Sequence, residues 1–336
     1  MSTQSTLEPP ASDAPAPGPR RRVSPSALVV GIGLLLALVT VASGLIPTIL
    51  QWHDDSPVSR AVFLDIPAAW KLVFYTVIPI ALLYGAVQFS LRVRNWERGA
   101  PDDRGTTKAN VKRRLADFRA GVYMQTLLRD PAAGVMHSLI YFDFLILLAV
   151  TTVLEIDHQM PESAKFLHGN VYQAYSLVGD VAGALFTIGV VWAIVRRYVQ
   201  RPYRIRIKSK PEHAVILGTF LVIGLTGFLT EAFRIALMGR PPFEKWSIVG
   251  YPLSSVVDGW SHVAGWHQAL WLTHVVAFVL FLVILPVTML RHMFTSPLNM
   301  YLKDKERPKG AMRPMPNLME TELETFGAAT VEDFTW

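Results

Sequence analysis

Four histidines lie in or beside strongly apolar blocks of this 336-residue sequence: His137, His158, His274 and His292. A neutral imidazole binds transition metals, and an ionisable side chain at membrane depth is costly unless it faces a bundle interior or a cofactor. Two imidazoles from facing helices are what a b-type haem needs, together with an apolar slot for its ring. The alternative is that each histidine lies at a membrane surface, satisfied by water or lipid headgroups.

The spacing of these histidines predicts which of them meet. His274 and His292 are eighteen residues apart, which is five turns of one helix, so we expect both to point the same way, about 27 Å apart in height. His137 opens an earlier apolar block on the side of the membrane where His292 closes the last one. The sequence therefore predicts that His137 and His292 meet across the bundle and bind one haem iron. Three arginines at the same depth are expected beside the haem propionates: Arg196, Arg197 and Arg291.

The composition places these histidines in a membrane. Hydrophobic residues make up 51% of the chain and charged residues only 17%, which is outside the range of ordinary soluble domains. There is no cysteine, which excludes iron–sulfur clusters, disulfides and thiolate zinc sites within the chain. The net charge of +6 comes from basic segments beside apolar blocks, a pattern typical of cytoplasmic loops and not of nucleic-acid binding.

Six apolar blocks are long enough to cross a bilayer, which predicts an all-α, polytopic membrane helical bundle with six transmembrane helices. The blocks are 27–50, 68–93, 135–156, 172–195, 213–238 and 265–293. Two basic loops, 92–133 and 196–210, are assigned to the cytoplasm, and with six spans both termini also face the cytoplasm. We thus expect a multi-pass protein of the cell inner (plasma) membrane, surrounded by lipid. Its predicted parts are a disordered tail over 1–25, the haem b membrane domain over 26–300 and a C-terminal tail or linker over 301–336.

Two other classes of function remain open from the residues alone. Glu231 and Arg234 stand three apart near the end of the fifth block, so they can share one helix face and compensate each other. Together with Asp143 they could serve a solute or ion transporter. The third reading is a cofactor-free membrane anchor that recruits a partner enzyme.

Two segments resemble a known family. The run from Leu272 to Leu298, LTHVVAFVLFLVILPVTMLRHMFTSPL, resembles the last helix of the nitrate reductase gamma subunit family, which includes membrane subunits of heterodisulfide reductase. The run from His137, HSLIYFDFLILLAVTTVLEID, resembles its partner helix. The resemblance implies that His274 and His292 ligate different haems and that His137 is also a ligand.

The sequence departs from the nitrate reductase pattern at one ligand position. That pattern has a second histidine ten residues after the first on the partner helix, where this chain has Leu147. One haem is therefore expected, and a second requires another axial ligand for His274. His158 is at suitable depth for it, and His168 is the fallback. His262 and His267 are ranked lower because they would have to fold back onto the face of His274.

The C-terminal segment ETFGAATVEDFTW resembles the linker that leads, in fused actinobacterial-type relatives, into iron–sulfur domains. The resemblance implies either a fragment or a membrane subunit with a separate iron–sulfur partner. It further implies the membrane part of a quinone-linked oxidoreductase, inactive alone, which passes electrons between an iron–sulfur protein or domain and menaquinone. Electron-transferring flavoprotein is the expected further partner.

Overall fold

A computed structural model describes residues 24–50, 56–99, 107–125 and 127–302, with a few single positions near the C-terminus. The predicted tails over 1–25 and 301–336 lie almost wholly outside the described residues. Within the described ranges the elements are helices, and the one strand-like contact is an isolated bridge between Ser59 and His168.

The predicted all-α membrane bundle is confirmed, because six of the described helices are long and apolar enough to cross a bilayer. In chain order the helices are α1 Pro25–Leu50, α2 Ala68–Trp96, α3 Lys108–Val122, α4 Pro131–His158, α5 Gly169–Ile194, α6 Tyr203–Arg206, α7 Pro211–Leu237, α8 Gly250–Val257, α9 Val263–Ile284 and α10 His292–Leu302. The six spans are α1, α2, α4, α5, α7 and α9, and α5 continues into a π-helical turn over Val195–Gln200.

The segment 92–133, predicted as a basic loop, is partly helical. It contains α3, which begins after Thr107, whose hydroxyl accepts a hydrogen bond from the Asn110 N–H at 3.2 Å. Helix α3 packs against α10. Helix α4 begins at Pro131 behind Asp130, whose carboxylate accepts from the Ala133 N–H. This start places His137 about two turns inside α4.

Apolar side chains lie on the outer surface of the bundle as well as in its interior, as expected for a bundle surrounded by lipid. Leu38, Leu72 and Ile80 are each more than 60% exposed on α1 and α2. The inner core is an aromatic cluster in which Phe186 of α5, Phe220 of α7 and Phe281 of α9 are all buried. Leu147, at the position where the nitrate reductase pattern has a histidine, packs against this cluster.

The last span is not one continuous helix, so the expected five-turn register between His274 and His292 is wrong. Helix α9 ends at Ile284, a short 3-10 turn covers Met289–Arg291, and α10 starts at His292. Pro286 lies in the break, where a proline lacks the N–H that a continuing helix would need. The position of His292 is therefore set by this break, and not by the face of α9 that carries His274.

Candidate functional site

The bundle has two chemically different ends. The end formed by the start of α4, the end of α5, the start of α7 and the α9–α10 junction carries the arginine- and lysine-rich segments, and we call it the basic end. The loops 56–67, 159–168 and 238–262 lie together at the opposite end, where they surround a cavity.

His137 and His292 come together at the basic end. Their ring centroids are 6.3 Å apart and the ring planes are inclined by 61°. Two imidazoles on opposite sides of one iron, each held by a bond of about 2 Å, have ring centroids roughly 6 Å apart. No three His, Asp or Glu side chains of the described residues cluster to hold a bare metal ion. The pair therefore fits a haem, whose ring supplies the remaining ligands.

The hydrogen bonds of both rings leave nitrogens free for a metal. His292 Nδ1 lies 2.7 Å from the Met289 carbonyl oxygen, so this nitrogen donates, and Nε2 keeps its lone pair. His137 Nδ1 is buried, and no described residue hydrogen-bonds to it. A buried polar atom without a partner is unfavourable in an ordinary core and is expected where water or a cofactor completes the site.

The three arginines predicted beside the pair have different environments. Arg197 donates to Ser209 Oγ, and Arg291 donates to the carbonyl oxygen of Thr288. Arg196 forms an ion pair with Asp130 at 3.1 Å, and its side chain is 14% exposed. Its Nε is buried without a hydrogen-bond partner among the described residues. Arg196 is therefore the one of these three arginines whose buried Nε lacks a hydrogen-bond partner among the described residues.

His274 is held in one tautomer by α7. Its Nδ1 lies 3.0 Å from Thr226 Oγ1, and the Thr226 hydroxyl already donates to the Val222 carbonyl at 2.6 Å. The ring must therefore donate to Thr226, which leaves Nε2 unprotonated. Gly227 lies directly beside this ring, since a Cβ there would make an ordinary van der Waals contact of 3.5 Å with His274 Cε1.

The structure places His158 away from His274. The His158 ring packs edge-on against Phe63 at 5.6 Å and lines the cavity at the opposite end. No ring contact joins His158 to His274 among the described residues. His168, the fallback ligand, is exposed and precedes the first residue of α5.

His267 and His274 lie on one helix, and the low rank of His267 as an axial partner of His274 stays a prediction. Helix α9 begins at Val263, so His267 lies on the same helix as His274, seven residues earlier and on nearly the same face. His267 is 3% exposed, and its Nδ1 has no hydrogen-bond partner among the described residues. His262 instead precedes α9 with a left-handed backbone (φ 61°).

The cavity at the opposite end has a volume of about 450 Å³. That volume lies within the range of sites that hold small organic ligands. Its polar lining includes Arg60, Lys165 and His158, and its apolar lining includes Leu154 and Phe243. The cavity thus offers hydrogen-bond donors within a partly apolar wall.

A buried ionic network lies next to this cavity. Arg234 donates to both carboxylate oxygens of Glu244, at 2.6 and 3.2 Å, and the Tyr172 hydroxyl donates to the same carboxylate at 2.9 Å. Glu231 lies 3.7 Å from Arg234 and accepts from the Ser247 hydroxyl. The predicted compensation of Glu231 by Arg234 is therefore present, but the stronger partner of Arg234 is Glu244.

Asp180, beside this ionic network, is hydrogen-bonded to the start of α8. Its carboxylate accepts from the N–H groups of Val249 and Gly250 at 2.6 and 3.1 Å, at the start of that helix. Gly250 also faces Glu231, since a Cβ there would lie 2.7 Å from Glu231 Oε2. Asp180 and Glu231 thus both contact this glycine, and their carboxyl groups interact with each other. Sequence reasoning missed Asp180, Tyr172 and Glu244. One signal was available for two of them, because Tyr172 and Asp180 are polar residues eight apart on one face of an otherwise apolar span.

Two relatives are similar to the chain. It is 30% identical over 302 residues to the EtfAB:quinone oxidoreductase of Syntrophomonas wolfei, an alignment that covers 85% of this chain and 40% of the relative. It is 26% identical over 227 residues to the probable iron-sulfur-binding oxidoreductase FadF of Bacillus subtilis, which covers 66% of this chain and 31% of the relative. The chain spans less than half the length of either relative. No family model and no solved structure matches it. The similarity relates the chain to oxidoreductases.

Proposed function

We propose that this relative of oxidoreductases is a membrane haem b module that passes electrons between an iron–sulfur partner and menaquinone. The observation that carries the proposal is the His137–His292 pair at the basic end of a six-span bundle. The names of the relatives support a quinone as one substrate and iron–sulfur chemistry elsewhere in the enzyme. The chain would then be the membrane part of a quinone-linked oxidoreductase.

The residues present fit a haem at this place. When bound, haem b accepts and releases one electron at a time. His137 and His292 would hold its iron, and Arg196 would offer its free Nε–H to a propionate. The aromatic cluster around Phe220, which includes Leu290 and contacts Met293, would give the inner side of the site an apolar wall. The burial of the His137 Nδ1 atom supports this assignment over a histidine at the membrane surface.

The basic end would face the cytoplasm of a cell inner (plasma) membrane, because positively charged loops are retained on that side. A basic surface attracts an acidic partner and speeds its docking. The partner would be an iron–sulfur protein or domain, since this chain has no cysteine to hold such a cluster. Electron-transferring flavoprotein, which the name of one relative includes, would be the source or acceptor of electrons beyond it.

The cavity at the opposite end is our proposed site for the menaquinone head group. Arg60 and Lys165 line it and can donate hydrogen bonds to quinone oxygens. His274 would ligate a second haem between the two ends, because its Nε2 is free. His158 remains its proposed second ligand, although in this structure that ring lies at the cavity and not against His274.

Reconstitution tests the proposal. The chain, placed in liposomes that contain menaquinone, should reduce the quinone only when its iron–sulfur partner and a reduced flavoprotein donor are both present. Without the partner the rate should fall to background, because the chain has no cysteine to hold an iron–sulfur relay between a soluble flavoprotein and its haem. The proposal would be wrong if the chain alone matched the complete complex, or if the complete complex left menaquinone oxidised.

A further inference from the structure

Three carboxyl groups are buried together beside the cavity, and a fourth, Asp157, is buried in the cavity wall, where it accepts from the N–H groups of Phe166 and Leu167. Asp180, Glu231 and Glu244 are 3%, 8% and 0% exposed. Together with Tyr172 and Arg234 we call them the carboxyl cluster. Asp180 and Tyr172 come from α5, Glu231 and Arg234 from α7, and Glu244 from the 3-10 turn Pro242–Trp246. Such groups are costly at membrane depth and usually serve a function there.

The charges of the cluster do not balance when every carboxyl is ionised. Arg234 is the one buried cation of the cluster, and the bidentate contact with Glu244 compensates its charge. Arg60, at the cavity wall, contributes a second positive charge to the field at Glu231. Three carboxylates still exceed two cations, and an unpaired buried charge is strongly unfavourable. Counted together with Arg60, the cluster is therefore neutral only when it holds one proton.

Polar atoms without partners point into the same region. Ser176 Oγ, which lies near the Tyr172 hydroxyl, is buried, as are Arg234 Nε and His267 Nδ1, which have no hydrogen-bond partner among the described residues. Their residues are 5%, 3% and 3% exposed. Ser176 lies one turn from both Tyr172 and Asp180 on α5. Buried polar atoms of this kind are normally satisfied by internal water, which also conducts protons between side chains.

The cluster and the cavity share a wall. Phe243 lines the cavity and packs edge-on against the Tyr172 ring at 6.0 Å. The next residue, Glu244, accepts the hydrogen bond of the Tyr172 hydroxyl. Groups that titrate or carry charge face this region from every neighbouring element. They are Asp157 and His158 of α4, Lys165 of the loop after it, Tyr172, Tyr175 and Asp180 of α5, Glu231 and Arg234 of α7, Glu244, His267 of α9, and Arg60 and Asp65 of the loop before α2.

We propose that the carboxyl cluster exchanges protons with a quinone bound in the adjacent cavity. This inference rests on the proposed function. Reduction of the quinone takes two electrons from the donor side and two protons, and yields the quinol. The cluster delivers these protons one at a time through Glu244 and the Tyr172 hydroxyl, and water at the opposite end of the bundle replaces each of them. Oxidation of the quinol runs the same transfers in reverse.

The test uses the chain in complex with its electron-donating partner and two electron acceptors. A water-soluble naphthoquinone takes up electrons and protons, whereas ferricyanide takes up electrons only.

Asp180→Asn and Glu231→Gln should slow naphthoquinone reduction roughly a hundredfold, and Tyr172→Phe, which keeps the ring volume, about tenfold. Ferricyanide reduction should stay within about twofold, and Asp180→Glu should restore most of the naphthoquinone rate, because it returns the exchangeable proton. Asp258→Asn, an exposed carboxyl at the same end, is the matched control and should reduce both acceptors normally.

Each other outcome overturns the inference. Unchanged naphthoquinone rates in all three variants would mean that the cluster exchanges no protons with the quinone. An equal loss with both acceptors, without rescue by Asp180→Glu, would mean that the cluster only stabilises the fold. If the wild-type complex reduced ferricyanide but not naphthoquinone, the proposed function itself would fail, and the inference with it.

Discussion

Replacing His137 by alanine should remove haem from the basic end of the bundle, and replacing His292 should remove the same haem. The two rings lie 6.3 Å apart, and each offers a nitrogen free of competing hydrogen bonds. An iron that loses one of two axial ligands is five-coordinate or weakly held. The measurement is haem per folded protein together with the redox-resolved absorbance spectrum, because expression level alone does not separate ligands from folding residues.

Two histidines serve as controls for this result. His213 is buried at the basic end, where its ring hydrogen-bonds to the backbone of Lys210 at the start of α7. His213→Ala should lower stability by about 1 kcal/mol, as loss of a helix cap does, and keep the haem. His274→Ala should also spare this centre, since the His274 ring is held on α7 at Thr226. If His137→Ala and His292→Ala both kept full haem and an unchanged reduced spectrum, the two histidines would not be ligands of one haem.

Replacing Glu244 by alanine should destabilise the bundle by about 3–5 kcal/mol. The carboxylate is fully buried and accepts from both the Arg234 guanidinium and the Tyr172 hydroxyl. Its removal leaves a buried guanidinium without its bidentate partner. The free energy of unfolding in detergent, measured by chemical denaturation, reports the effect. Lys245→Ala changes the next residue, which is exposed, and should stay within about 0.5 kcal/mol of wild type.

A double variant separates the ion pair from the space it fills. Arg234→Met with Glu244→Met removes both charges and keeps apolar volume, so it should be less destabilising than Glu244→Ala alone. If the double variant were as unstable as the sum of the single changes, the cost would arise from packing and not from the unpaired charge.

The spans could be predicted because length and apolarity decide whether a helix crosses a bilayer, and both are local properties of the chain. Pro286 could have predicted the break after Ile284. The spacing of His274 and His292, which equals five helical turns, instead favoured one continuous helix. The meeting of His137 and His292 was nevertheless predicted correctly, because it depended on which side of the membrane each block ends and not on the register between them.

The ionic network shows what local patterns could not reveal. Glu231 and Arg234 were predicted to interact because they are three residues apart on one helix. Glu244 lies in the loop after α7, which folds back onto that helix, and Tyr172 approaches from α5. No periodicity connects these positions, since their contact is set by how the loop at the opposite end packs. The same reason applies to His158, whose ring lines the cavity and whose pairing with His274, expected from similar depth, stays a prediction.

The absorbance spectrum of the purified full chain, before and after reduction with dithionite, tests the central claim most directly. We predict a sharp b-type band on reduction, with about one haem per chain held by His137 and His292 and a further haem only if His274 finds its second ligand. The band should be reversible on reoxidation. Folded protein produced with ample haem that shows no such band would contradict the claim, because neither a transporter nor a cofactor-free anchor absorbs there.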